Sequence, residues 1–121
     1  MLTVREVYVM AASLIGDREN DDKDERDFAP LYMNILLQES LNAENSMRAA
    51  NGEPELVSAQ LVDGLNDEVI YHDALVRAAF PYGLAWQYHQ DAGNNQLASM
   101  YRNLFVDTVN SSYCFMMRRM K

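Results

Sequence analysis

The sequence predicts an all-α fold, a small bundle of four to six helices with one short hairpin or extended segment around residues 53–71. Helix-breaking residues are scarce, because the 121 residues include only five glycines and three prolines. Eight methionines, and apolar side chains that recur three and four residues apart, are typical of amphipathic helices. The length and a hydrophobic fraction of 49% predict one globular domain, residues 1–121.

The first helix is predicted from the signal at its N-terminus. Thr3 and Glu6 have the spacing of a capping box, in which each side chain bonds to the backbone amide of the other. Gly16 predicts a left-handed end to this helix. The residues expected on its buried face are Val4, Val7, Tyr8, Ala11, Leu14 and Ile15.

Residues 17–27 are a run of charged side chains, which predicts an acidic linker or the start of the second helix. The alternative is a calcium-binding loop that begins at Asn20. Glu25 then stands where such a loop requires glycine, and Leu31 stands where it requires a bidentate glutamate. We therefore reject calcium binding.

The second helix contains Pro30, which leaves its first residue open. If Asp27 is the N-cap, Pro30 lies in the first turn, where its missing amide hydrogen has no consequence. If the helix begins near Asp22, Pro30 lies inside it and kinks it. The residues expected on the buried face are Phe28, Leu31, Tyr32, Ile35, Leu36 and Leu41.

The middle of the chain has clear secondary-structure signals in some segments and ambiguous ones in others. Residues 42–50 predict a short helix that ends at an Asn-Gly pair. Residues 53–66 are interrupted by proline and glycine, so a hairpin and irregular packing both remain open. Residues 69–71 look extended, and the next helix is expected to begin near His72 or Asp73.

Pro81, Tyr82 and Gly83 predict a structural turn between two helical segments. Proline suits the first turn of a new helix, and glycine lets another part of the chain approach closely. Asn94 or Asn95 is expected to cap the last helix. We expect the first, second and last helices to form the main bundle.

The residues that most often carry chemistry are few. His72 and His89 are the only histidines and are not spaced like metal ligands, so packing or capping is the expected role of both. The single cysteine, Cys114, has no nearby histidine to activate it. We therefore expect no catalytic residue, no metal ligand, no cofactor and no enzymatic activity.

Three aromatic side chains, Tyr82, Trp86 and Tyr88, raise the alternative of stacking on nucleic-acid bases. Such sites combine aromatic with basic side chains, and residues 78–95 contain no lysine or arginine. A net charge of −8 also argues against a protein that coats nucleic acid. Packing in the core or between subunits is the expected role of these rings.

The C-terminal end differs from the acidic body, since residues 91–121 carry four basic and two acidic side chains. Its methionines either fill the core or form an adaptable binding surface. We expect residues 113–121 to form a flexible docking tail. The side chains expected to dock on a partner are Phe115, Met116, Met117, Arg118 and Arg119.

Residues 78–85, with the sequence AAFPYGLA, resemble a segment of the small helical head-to-tail connector (adaptor) proteins of tailed bacteriophages. In that family a helix runs into Pro-Tyr-Gly-Leu-Ala, and a short acidic turn then leads to a final helix with spaced aromatic residues. Here the turn is residues 90–94, and the aromatic residues are Tyr101 and Phe105. Residues 30–37 and the capped first helix also resemble the family, whereas residues 42–71 match no part of it.

The resemblance implies a structural virion protein of a bacteriophage or prophage. Such a subunit assembles as a ring, expected to be a dodecamer, on the portal protein and binds neck or tail completion proteins. The ring extends the channel used in DNA packaging, and double-stranded DNA passes through it without sequence recognition. An acidic channel wall suits this passage, since it repels the phosphate backbone.

The expected location is the virion neck, after synthesis in the bacterial cytoplasm, with no membrane stage. No apolar run approaches the ~18–20 residues that span a bilayer, and no secretory signal is present. The alternative function is a cytosolic helical protein–protein interaction module that acts as a monomer or dimer.

Overall fold

A computed structural model describes residues 1–15 and 23–119, without the side chains of residues 23–27 and 112–119. The predicted all-α class is confirmed, because five helices dominate the described residues and only two very short strands accompany them. The elements in chain order are β1 (Leu2–Thr3), α1 (Val4–Leu14), α2 (Lys23–Glu39), α3 (Leu41–Ala50), β2 (Glu68–Val69), α4 (Asp73–Asp91) and α5 (Asn95–Arg119).

The two strands pair the N-terminus of the chain with its middle. Strands β1 and β2 are antiparallel, with Leu2 opposite Val69 and Thr3 opposite Glu68. The extended segment predicted around residues 53–71 is therefore present as β2. The hairpin alternative is wrong, because the partner of β2 is the start of the chain and residues 53–66 have no regular structure.

Helix α4 is the centre of the packing. Helices α1, α2 and α5 each pack against α4, and α3 packs mainly against α5. The expectation that the first, second and last helices form the main bundle is therefore wrong. Residues 79–89 include no exposed side chain, as expected of a helix that is covered on most sides.

The predicted turn at Pro81, Tyr82 and Gly83 is absent, because α4 runs through all three residues without interruption. Pro81 removes one helical hydrogen bond, and a proline inside a helix costs about 3 kcal/mol. The neighbouring side chains Phe80 and Leu84 are buried in the core, and their burial offsets that cost. Tertiary packing therefore overrides the local signal for a helix boundary.

The close approach predicted at Gly83 is present, and the neighbour is a side chain. A Cβ atom on Gly83 would lie 2.6 Å from both Cδ atoms of Leu36 in α2. Tyr82, the preceding residue of α4, stacks on Tyr101 of α5 at a ring-centroid distance of 6.3 Å. Adjacent positions of α4 thus contact two different helices.

Helix α2 buries a different face from the one predicted. Its fully buried side chains are Ala29, Met33, Leu36 and Leu37. Phe28, Leu31 and Ile35, which the spacing assigns to the core, are 47%, 57% and 44% exposed. The prediction is wrong for these three because α2 has apolar side chains on two faces, and spacing alone does not say which one meets α4.

The helix ends agree with the local signals. Thr3 and Glu6 form the predicted capping box, and Asn94 accepts a hydrogen bond from the Leu97 amide at 3.2 Å. Helix α2 begins before Pro30, which favours the second of the two starts considered above. The helix end predicted at Gly16 and most of the charged run at 17–27 lie outside the residues described.

We predict that Gly83→Ala lowers the free energy of unfolding by up to about 2 kcal/mol. Overpacking against Leu36 costs about 1–3 kcal/mol, which exceeds the gain of up to about 1 kcal/mol that alanine brings inside a helix. Urea unfolding followed by circular dichroism measures the difference.

Gly64→Ala is the matched control for this prediction, because nothing lies within 4 Å of a Cβ atom at Gly64. The control should change stability little, and shortening Leu36 to valine should reduce the penalty of Gly83→Ala. An alanine variant at position 83 as stable as the wild type would contradict the close approach.

Candidate functional site

A buried carboxylate lies where α3 faces the start of α4. The Glu44 side chain is fully buried and accepts a hydrogen bond from Arg48 Nε at 2.6 Å. The backbone amide of His72 donates to Glu44 Oε1 at 2.9 Å, and His72 Nδ1 lies 3.0 Å from both carboxylate oxygens. These partners satisfy a charge that would be strongly destabilising without them.

The second ring nitrogen of His72 has a carboxylate partner as well. Its Nε2 lies 3.1 Å from Glu53 Oε1, on the loop that follows α3. Burial of the ring works against its charged form, but the hydrogen bonds and charges of Glu44 and Glu53 outweigh burial and raise the pKa of His72. We call Glu44, Arg48, Glu53 and His72 the ionic cluster.

Arg48 connects this cluster to the start of the α3–β2 loop, residues 51–67, and to the segment that follows β2. Its guanidinium donates to the carbonyl of Pro54 at 3.4 Å and to the carbonyl of Ile70 at 3.1 Å. Its own carbonyl accepts from the Glu53 amide at 2.8 Å. One side chain therefore fixes the start of the loop relative to the segment that enters α4.

Tyr71 lies beside the cluster and is itself buried. Its hydroxyl donates to the carbonyl of Leu37 at 2.6 Å, which anchors the segment before α4 to the end of α2. Burial, followed by the negative charge of Glu44, raises the pKa of Tyr71 to about 12. The hydroxyl therefore remains a hydrogen-bond donor over the whole neutral range.

Two asparagine side chains form hydrogen bonds to the loop backbone in the pattern that a neighbouring strand would use. Asn45 accepts from the Leu56 amide at 2.7 Å and donates to the Leu56 carbonyl at 3.0 Å. Asn34 makes the same pair of bonds to Val62, at 2.7 and 3.0 Å. Each amide side chain satisfies both backbone groups of one loop residue, which irregular backbone otherwise leaves to water.

Polar bonds hold this loop more than apolar burial does. Gln60 bonds to the Ile70 amide at 2.9 Å, and Val62 is buried, but Val57 and Leu61 remain largely exposed. A segment with few buried apolar side chains belongs to the less stable part of a fold. The ionic cluster is thus one of several separate attachments of the loop.

The cluster has the composition of a structural network rather than of a metal site. Both carboxylate oxygens of Glu44 already accept hydrogen bonds, from Arg48 and from the His72 amide. Among residues 1–15 and 23–119, no group of three or more histidine, cysteine or acidic side chains is arranged to hold a metal ion. His72 occupies the N-cap position of α4, but its side chain makes no capping hydrogen bond and contacts Glu44 and Glu53 instead. The expectation of packing or capping is therefore wrong as far as capping is concerned.

Exposed apolar side chains form two separate faces. Phe28, Leu31 and Ile35 lie three and four residues apart on α2, and we call them the α2 face. Met100 and Leu104 lie one turn apart on α5, are 44% and 37% exposed, and are called the α5 face. Clustered exposed apolar side chains mark interaction surfaces more often than scattered ones do.

The aromatic residues of α4 pack as expected. Trp86 stacks on Phe105 at a centroid distance of 6.4 Å, and Arg102 lies 4.4 Å above the Trp86 ring. Arg102 also pairs with Glu39 at 3.3 Å. Arg102 is the one arginine that lines the shallow groove beside them, which is about 330 Å³ in volume. This arginine is therefore already bound to Trp86 and Glu39.

The predicted docking residues can be placed only in part. Helix α5 continues through Arg119, so residues 113–119 have helical backbone. The side chains of Cys114 and of the predicted docking set lie outside those described, and docking by this tail stays a prediction. That set is Phe115, Met116, Met117, Arg118 and Arg119.

Sequence reasoning did not identify the ionic cluster or the α2 face. Glu44 and Arg48 have the spacing of an ion pair on one helix, which is a detectable signal. The contact of Glu44 with His72, 28 residues further on, depends on the path of the loop, which residue spacing does not reveal.

We found no significant match of the chain to a protein-family model, a curated protein or a solved structure. Within the described part of the chain, none of the helices has the length and apolar character required to cross a bilayer. The likeness to connector proteins therefore rests on the residues quoted above.

We predict that Glu44→Gln lowers the free energy of unfolding by about 3 kcal/mol. The amide cannot accept from Arg48 and His72 together, and removing one partner of a buried charge network typically costs about 3–5 kcal/mol. Urea unfolding at neutral pH measures the loss.

Glu39→Gln is the matched control, because the pair of Glu39 with Arg102 is partly exposed. Pairs of this kind contribute about 1 kcal/mol or less. Equal effects of the two substitutions would show that burial of Glu44 is energetically unimportant.

Proposed function

We propose that this protein is a structural virion component, a head-to-tail connector subunit that assembles as a ring on a bacteriophage portal and extends the DNA channel. Its role is assembly rather than catalysis. The observation that carries the proposal is the exposed α2 face. Two of its three members, Leu31 and Ile35, lie within residues 30–37, one of the stretches that resemble connector proteins.

The arrangement of exposed apolar residues supports a head-to-tail contact between copies. Rings form when one surface of a subunit binds a different surface of the next, and so require two distinct patches on each chain. The α2 face and the α5 face provide two such patches on different helices. We propose that the α2 face of one copy packs against the α5 face of its neighbour.

The distribution of charge favours the same pairing. The net charge of the whole chain is −8, whereas residues 91–121, which include all of α5, carry four basic and two acidic side chains. Contact between this C-terminal region and the acidic remainder of a neighbouring copy brings opposite net charges together. Identical surfaces would instead bring like charges together.

The partners that follow from this proposal are the portal protein, neck or tail completion proteins and the DNA that passes through the ring. The acidic body supports passage of DNA without binding, since a negative wall repels phosphates. A dodecamer in the virion neck is the assembly that the resemblance implies. The C-terminal residues remain the proposed contact with a neck partner.

We predict that the double substitution Leu31→Asp with Ile35→Asp abolishes rings while the helices remain folded. Each loss of about 1.4 kcal/mol in binding free energy raises the concentration needed for assembly about tenfold. Burying two carboxylates at each subunit contact should cost far more than that. Negative-stain microscopy and sedimentation measure assembly, alone and with the portal protein of the same genome, and circular dichroism measures folding.

Val9→Asp is the matched control, because Val9 is an isolated apolar residue on α1 that is 56% exposed. It should leave rings intact. Wild-type protein that stays a monomer or dimer, even when mixed with the portal, would contradict the proposal and favour an interaction module.

A mixing experiment tests the head-to-tail arrangement itself. Met100→Asp with Leu104→Asp should also abolish rings. When this variant is mixed with the α2-face variant, one intact contact remains possible between them, so dimers should form but rings should not. A mixture that stays monomeric would show that the two faces do not bind each other.

A further inference from the structure

We propose that His72 and Glu53 form a proton-operated clasp on the α3–β2 loop, closed while the His72 ring is charged and opened at Glu53 when the ring becomes neutral. The clasp is a conformational device within one chain. It does not depend on the proposed connector function, and each can fail without the other.

The hydrogen-bond chemistry of the ring is the first step of the argument. His72 Nδ1 faces Glu44 at 3.0 Å and Nε2 faces Glu53 at 3.1 Å. An ionised carboxylate only accepts hydrogen bonds, and a neutral imidazole has one donor and one acceptor nitrogen. Both contacts therefore require the doubly protonated ring.

The surroundings of the two carboxylates decide which contact breaks. Glu44 is fully buried and is also held by Arg48 and by the His72 amide, so it cannot leave without exposing unpaired groups in the core. The Glu53 side chain is 43% exposed and can turn into water. The neutral ring therefore keeps its proton on Nδ1, towards Glu44, and releases Glu53.

The charged groups around the ring come from each element that packs against it. Helix α3 contributes Glu44 and Arg48, the loop contributes Glu53, and the segment before α4 contributes the uncharged Tyr71. Burial of the ring opposes its charge most strongly, yet the two carboxylates together leave the pKa of His72 raised. The His72 ring therefore keeps its charge to a higher pH than a free histidine does.

The direction of the pH effect follows from that shift. A group whose pKa is higher in the folded than in the unfolded state stabilises the fold fully below its unfolded value, about 6.5 for histidine. The contribution disappears as the pH rises through the folded pKa. The clasp therefore opens on the alkaline side and closes on acidification.

The part of the loop that opens is limited by the other attachments. Asn45 still holds Leu56, Asn34 still holds Val62, and Arg48 still donates to the Pro54 carbonyl, so release is confined to the turn around Glu53. The backbone amide of Glu53, which donates to the Arg48 carbonyl, is the direct reporter of opening. The amide of His72, which donates to Glu44, is the reporter of the contact that stays closed.

The experiment is an NMR titration of the full chain from about pH 5 to about pH 9, the range in which histidine changes charge. Ring signals give the pKa of each histidine, and amide exchange, corrected for its intrinsic dependence on pH, gives local opening. We expect His72 to titrate above its usual value, and Glu53 amide protection to fall as the ring loses its charge, by up to about tenfold for each unit of the shift that Glu53 causes. Protection of the His72 and Val62 amides should stay constant.

Glu53→Gln tests the cause. It should lower the pKa of His72 and remove the pH dependence of protection at position 53, while the fold remains intact because the side chain is partly exposed. Glu55→Gln is the matched control, since it removes a neighbouring exposed acid from the same loop. It should leave both readouts unchanged.

Three outcomes would overturn the clasp. His72 could titrate at or below its usual value, or Glu53 protection could stay constant while His72 titrates. Equal effects of Glu53→Gln and Glu55→Gln would assign the shift to the general acidity of the loop. His89, whose pKa burial lowers, provides an internal reference within the same spectra.

Discussion

Burial of helix α4 is the constraint on which the other helices depend. Its middle portion has apolar side chains on most sides, and a single neighbour can cover only one of them. Helices α1, α2 and α5 each take one part of that surface, and Gly83 lets Leu36 of α2 approach closely enough to complete the cover. Pro81 is tolerated inside the helix for the same reason, because unwinding there would expose the most deeply buried part of the core.

The ionic cluster helps to hold the long connection between α3 and α4 that this arrangement requires. The chain leaves α3 and returns to α4 through a long irregular loop, and irregular backbone needs hydrogen-bond partners. Asparagine side chains and Arg48 provide them, so the loop is fixed by polar bonds at separate points. Polar attachment with little apolar burial permits one point to open while the others hold, which is the physical basis of the proposed clasp.

Covering α4 also explains why apolar side chains remain on the surface. Helix α2 has two apolar faces, and only the one with Met33 and Leu37 contacts the core. The face with Leu31 and Ile35 remains in water, where exposed apolar area is unfavourable unless another molecule covers it. In the ring that we propose, neighbouring subunits cover this face.

The sequence by itself determined the features that depend on neighbouring residues. These are the all-α class, the capping box at Thr3 and Glu6, the start of α4 after His72 and the cap at Asn94, since the bonding partners lie within a few residues. Only the tertiary structure decided which helix is central, which face of α2 is buried, and that α4 continues through Pro81. It also brought Glu44 and Glu53 to His72. These outcomes depend on competition between distant apolar surfaces for burial and on the path of a loop, and neither is encoded in the spacing of residues along one helix.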